Sequence, residues 1–78
     1  MIDRMNATPN MTNISSRFGK KVKEVRLKKN LSQGDLAKIL DVEPAYISSV
    51  ERGVRNISIG GVEKIAKALA VPINKLLS

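Results

Sequence analysis

Residues 32–53, SQGDLAKILDVEPAYISSVERG, constrain the fold more than any other part of the chain. They read as two short helices joined by a tight corner. Ser32 can cap the first helix, and Asp35 three positions later gives a capping-box arrangement with the acid in the electropositive first turn. Gly34, a poor helix former, falls in that same first turn. Asp41 breaks the apolar pattern and tolerates the left-handed conformation that a sharp corner needs. Pro44 suits the first position of the next helix, where its missing N–H costs nothing, and Gly53 suits the residue just past its end. Helices joined this tightly cross at roughly 90–120°, which restricts several positions at once. Leu36, Ala37, Ile39 and Leu40 supply the buried side of the first helix. Ala37 must be small at the crossing, and Leu36, Leu40, Val42, Ile47 and Val50 must be apolar to form the wedge. Coincidence rarely satisfies all of these together.

The flanks carry the same period. Residues 1–14 hold Asn, Thr, Pro and three Met without periodicity and read as a poorly ordered tail, and translation could begin at a later Met. From Ser15 or Ser16 a helix can start, with Phe18, Val22 and Val25 on its apolar face and lysines opposite, ending at Asn30. Ser58 caps a fourth helix with Ile59, Val62, Ile65, Ala66 and Leu69 inward and Lys64 and Lys67 outward. Pro72 restarts the chain for a short fifth piece ending at Leu76 and Leu77. No segment alternates with period two, so strands are not expected. The expected fold is all-α, a compact bundle of five short helices, with residues 15–78 as its single domain.

Composition then narrows the function. A chain of 78 residues buries only about 60% of the surface it exposes when unfolded, so a partner subunit would add useful burial. With neither Cys nor His there is no thiolate nucleophile, imidazole base or usual zinc ligand, and no carboxylate pair or activated Lys or Ser stands out. An enzyme is therefore not expected, nor any cofactor or small-molecule ligand. No apolar run approaches the roughly 20 residues of a membrane span, and a soluble cytoplasmic protein is expected. The net charge of +7 is concentrated: within 16–30, Arg17, Lys20, Lys21, Lys23, Arg26, Lys28 and Lys29 face only Glu24, whereas 32–53 is net acidic. A polyanion would bind such a surface by releasing counterions, although a solvated helix face has the same composition.

The pattern Gln33, Leu36, Ala37, then a corner, then Ile47, Ser48 and Glu51 resembles the phage-repressor and Cro type of helix-turn-helix, the XRE-like family with a lambda-repressor-like DNA-binding domain. The resemblance runs from about Arg17 to Leu77. The run Tyr46-Ile47-Ser48, Glu51-Arg52-Gly53 and Arg55-Asn56-Ile57-Ser58 is similar to the controller proteins of restriction–modification systems. This resemblance implies a transcription regulator that binds palindromic operator sites in double-stranded DNA as a homodimer and regulates its own promoter. It also admits RNA polymerase as a further partner.

The resemblance assigns roles to individual residues. Gln33 would contact phosphate or brace the recognition helix. Pro44, Ala45, Tyr46, Ser48 and Ser49 belong to the helix that the family places in the major groove. Pro44 and Ala45 offer only apolar contact, which departs from relatives with long polar side chains there and leaves direct readout thin. Arg52 and Arg55 can reach phosphate or a guanine edge, and the controller resemblance favours Arg55 as a base reader. Asn56 and Ser58 could approach phosphate, with Ser58 equally a helix cap. Arg26 and Glu51 would form an ion pair that orients the recognition helix. Val71, Ile73, Leu76 and Leu77 are expected at a two-fold interface or, alternatively, closing the monomer's core. Other readings remain: a small phage-type repressor, an antitoxin, or an interaction module that keeps the fold without binding DNA.

Overall fold

In the computed structural model the backbone is described for residues 3–77 and side chains for residues 14–77. Five helices follow one another: α1 (Asp3–Lys28), α2 (Gln33–Leu40), α3 (Pro44–Glu51), α4 (Ile59–Leu69) and α5 (Ile73–Leu77), with no strand among the described residues. The helix expected from Ser15 is longer, beginning at Asp3, so Ser15 and Ser16 sit within α1 and do not cap it. Extending an existing helix adds one hydrogen bond per residue fixed and avoids a new nucleus. The expected tail over 1–14 falls almost wholly on residues whose side chains lie outside the described set.

Local chemistry starts and stops these helices. The Ser32 hydroxyl accepts from the Asp35 N–H at 2.9 Å while the Asp35 carboxylate accepts from the Ser32 N–H at 2.9 Å, a complete capping box. Ser58 caps α4 by accepting from the Gly61 N–H at 3.1 Å. Helices α1 to α4 all end the same way, on a residue with positive φ: Asn30 (60°), Asp41 (59°), Gly53 (74°) and Ala70 (58°). In each case the next residue donates its N–H five positions back: Leu31 to Arg26, Val42 to Ala37, Val54 to Ser49, and Val71 to Ala66. This is the Schellman stop, which satisfies carbonyls that the helix leaves open.

The core gathers Phe18, Val22 and Val25 of α1, Leu36 and Ala37 of α2, Ile47 and Val50 of α3, Ile65, Ala66 and Leu69 of α4, and Leu76 of α5. Three apolar residues expected inside are instead in contact with solvent. Ile39 is 55% exposed, because it stands roughly 110° around α2 from the middle of the covered arc formed by Leu36, Leu40 and Ala37. Val42 is 37% exposed: its backbone N–H closes the α2 stop, and its side chain borders the corner without filling the wedge. Ile59 is 77% exposed at the first position of α4, ahead of the turn that meets the core. Leu76, expected at an interface or in the core, is in the core at 1% exposure.

Candidate nucleic-acid interface

Helix α3 is held from behind by α1 and α2 and open in front. Its inner side places Ile47 and Val50 in the core, while Pro44 and Ala45 are exposed and Tyr46, Ser48 and Ser49 are half-buried. No side-chain bond caps its N-terminus at Glu43, and Pro44 begins the helix without an N–H to satisfy.

The rear anchor is a network around Glu51. Arg26 of α1 donates from Nε to Glu51 Oε2 at 2.6 Å and from Nη2 to Oε1 at 3.0 Å, a two-pronged ion pair with both side chains under a tenth exposed. Nη1 of Arg26 donates to the Leu31 carbonyl at 2.8 Å, while Leu31 N–H donates to the Arg26 carbonyl. Gln33, in the first turn of α2, donates from Nε2 to Glu51 Oε1 at 3.0 Å. Of its two expected roles, Gln33 therefore takes the brace. The Glu51 carboxylate beside it holds the Arg26 guanidinium above its ordinary pKa. One carboxylate thus ties together the three helices that set the angle of α3. Such a network is geometrically demanding, and removing a partner leaves a desolvated charge behind.

A second constraint had no place among the expectations. Gly19 of α1 packs against the end of α3, where a Cβ would come within 2.3 Å of the Val50 carbonyl oxygen and 2.7 Å of that of Glu51. A glycine inside an otherwise sound helix was the available signal, since it weakens the helix by about 0.5–1 kcal/mol unless packing requires it.

On the open side the structure brings together Tyr46, Ser49 and Arg55. The Ser49 hydroxyl donates back to the carbonyls of Ala45 and Tyr46, each at 3.0 Å, and accepts from Arg55 Nε at 3.2 Å. The Arg55 guanidinium carbon lies 4.9 Å from the centroid of the Tyr46 ring, within cation–π range. Tyr46 itself packs against the core, with its hydroxyl close to Gly61. Arg52 caps the C-terminus of α3 through its backbone and leaves its side chain exposed, as is Asn56. Ser58 is exposed, with its hydroxyl engaged as the cap of α4. Among the described residues no group of acids suited to a metal ion occurs.

A helix-turn-helix family model matches residues 22–76, most of the chain and all of α2 and α3. The chain belongs to this helix-turn-helix family. Its α2–corner–α3 unit is the helix-turn-helix, and Asp41 is the corner residue. The chain is 50% identical to Control protein C.BamHI of Bacillus amyloliquefaciens over 66 residues, covering 83% of this chain and 82% of that one. It is 41% identical to Control protein C.MunI of Mycoplasma sp over 69 residues, covering 87% and 93%. Among solved structures it is similar to the restriction-modification controller protein C.AhdI from Aeromonas hydrophila, with a TM-score of 0.75 at 38% identity, over 78% of this chain and 92% of that one. As a member of this helix-turn-helix family it is a DNA-binding regulator and not an enzyme.

Proposed function

We propose that this protein is a controller of a restriction–modification system, binding palindromic operator sites as a homodimer and regulating its own promoter in the cytoplasm. The observation that carries the reading is the pairing of a rigidly anchored α3 with an open face. Glu51 accepts from Arg26 and Gln33 behind the helix, while Pro44, Ala45, Arg52 and Arg55 stay exposed in front. A helix-turn-helix reads the major groove with the exposed face of its second helix, and a rigid mount fixes which side chains reach the base edges. The kinship with C.BamHI and C.MunI supports the controller role over that of a phage-type repressor or antitoxin.

Arg55 is the base reader in this proposal. Arg52, Asn56 and the N-terminus of α4 at Ser58 hold phosphates. Pro44 and Ala45 contribute apolar contact, for instance to a thymine methyl. The dimer face includes Leu77, which is 55% exposed, with the half-buried Val71 and Ile73 beside it. No described helix is long and apolar enough to cross a membrane.

The test is fluorescence anisotropy at about 0.15 M salt, comparing duplex DNA from upstream of the gene with a scrambled duplex. A preference of about three powers of ten or more establishes a specific autoregulator. Equal, steeply salt-dependent binding to both would overturn it in favour of non-specific attraction to the cationic face of α1.

A further inference from the structure

The side chain expected to read a base, Arg55, lies outside α3 in the connector to α4, where nothing in the backbone would hold a long flexible arm in one place. The structure supplies two holds, both from α3. Tyr46 offers its ring face 4.9 Å from the guanidinium carbon, and Ser49 accepts from Nε at 3.2 Å. The Ser49 hydroxyl is itself oriented. Its single proton is directed at the carbonyls of Ala45 and Tyr46, which turns its lone pairs outward toward Nε. With Nε occupied, Nη1 and Nη2 hold no hydrogen bond among the described residues. The guanidinium is therefore set with its two-pronged edge free, the edge that pairs with O6 and N7 of guanine.

We propose that Ser49 is a positioning residue for DNA readout: it sets the Arg55 guanidinium before DNA arrives, and so controls specificity at one base pair without touching that base. This rests on the regulator reading above and deepens it. An arginine already ordered in the free protein loses less rotamer freedom on binding, so the hold by Ser49 is felt as affinity for the correct base. It is not felt as fold stability. Alanine is the best helix former, and a serine bonded back to its own helix is slightly unfavourable there, so Ser49→Ala keeps or improves α3.

The experiment has two parts on the full chain. In the free protein, nuclear magnetic resonance follows solvent exchange of the Arg55 Nε–H. Slow exchange in the parent and faster exchange in Ser49→Ala is expected, and equal rates would overturn the proposal. The parent then selects its preferred duplex from a library with a random core, and Ser49→Ala, Arg55→Ala and the double variant are compared on that duplex. Ser49→Ala is expected to bind about tenfold more weakly, the order expected for a hydrogen bond to a charged group, and to lose the preference for guanine at one position of each half-site. It is expected to add nothing further in the Arg55→Ala background. Losses that multiply in the double variant, or a Ser49→Ala preference weakened evenly at every position, would overturn the proposal while leaving the regulator reading intact. Enrichment of no sequence by the parent would overturn both.

Discussion

Gly19 and Val50 meet where α1 crosses the end of α3, and there is no room between them for a side chain: a Cβ on Gly19 would lie 2.3 Å from the Val50 carbonyl oxygen. The obstacle is backbone, which cannot swing aside as a flexible side chain can. Elsewhere in a helix a Gly-to-Ala change stabilises by about 0.5–1 kcal/mol. Here Gly19→Ala is expected to destabilise by about 1–3 kcal/mol, the usual range for overpacking. The thermal midpoint would then fall by about 4–8 °C per kcal/mol. An unchanged or higher midpoint would show that α3 shifts without cost.

The Glu51 network makes a graded prediction. Arg26→Met leaves the Glu51 carboxylate desolvated, with Gln33 as its remaining side-chain donor, and is expected to cost about 3–5 kcal/mol. Gln33→Ala removes one charge-assisted bond at a half-buried site and is expected to cost about 1.5 kcal/mol. Urea unfolding of the two variants checks the order, and equal midpoints for Arg26→Met and the parent would refute the buried pair.

Asp35 gives the pH dependence. The hydrogen bond that it accepts from the Ser32 N–H holds the Asp35 carboxyl below the ordinary value of 3.8, and the neighbouring Ser32 side chain acts in the same direction. A depressed folded-state pKa means a contribution to stability that is complete above the unfolded value and is lost as pH falls through the folded one. The capping box should therefore hold at pH 5 and weaken progressively below about pH 4. Urea midpoints from pH 5 to 2 for the parent and for Asp35→Asn test this. The variant's acid slope should be the shallower, and parallel slopes would mean that Asp35 is not one of the groups responsible.

Leu76 and Leu77 are neighbours with opposite surroundings, at 1% and 55% exposure. Leu76→Ala should unfold the monomer more easily by about 2–5 kcal/mol. Leu77→Glu should leave the monomer's fold intact while shifting sedimentation at micromolar concentration from dimer toward monomer. A parent that sediments as a monomer throughout would remove the dimer from the proposal.

What the sequence by itself determined is what neighbours along the chain decide. Ser32 with Asp35, Ser58, Pro44, Asn30, Asp41 and Gly53 act through their own backbone or groups within a few residues, so the starts and stops of α2 and α3, the start of α4 and the end of α1 were legible directly, whereas the left-handed stop of α4 at Ala70 carried no such signal. The corner and its apolar wedge were legible for the same reason, apart from Val42. Only the tertiary structure decided how wide each buried stripe is. Ile39 and Ile59 fit the apolar period, yet among the described residues they are left 55% and 77% exposed, and period alone does not say how far cover extends. It also decided the approach of Gly19 to Val50, the reach of Gln33 to Glu51 and the seat of Arg55 on Ser49 and Tyr46. The first two depend on the crossing angles of helices distant in sequence, and the third on the path of the connector after Gly53. A pattern of residue types carries those angles only implicitly, because they are set by the packing of the whole core.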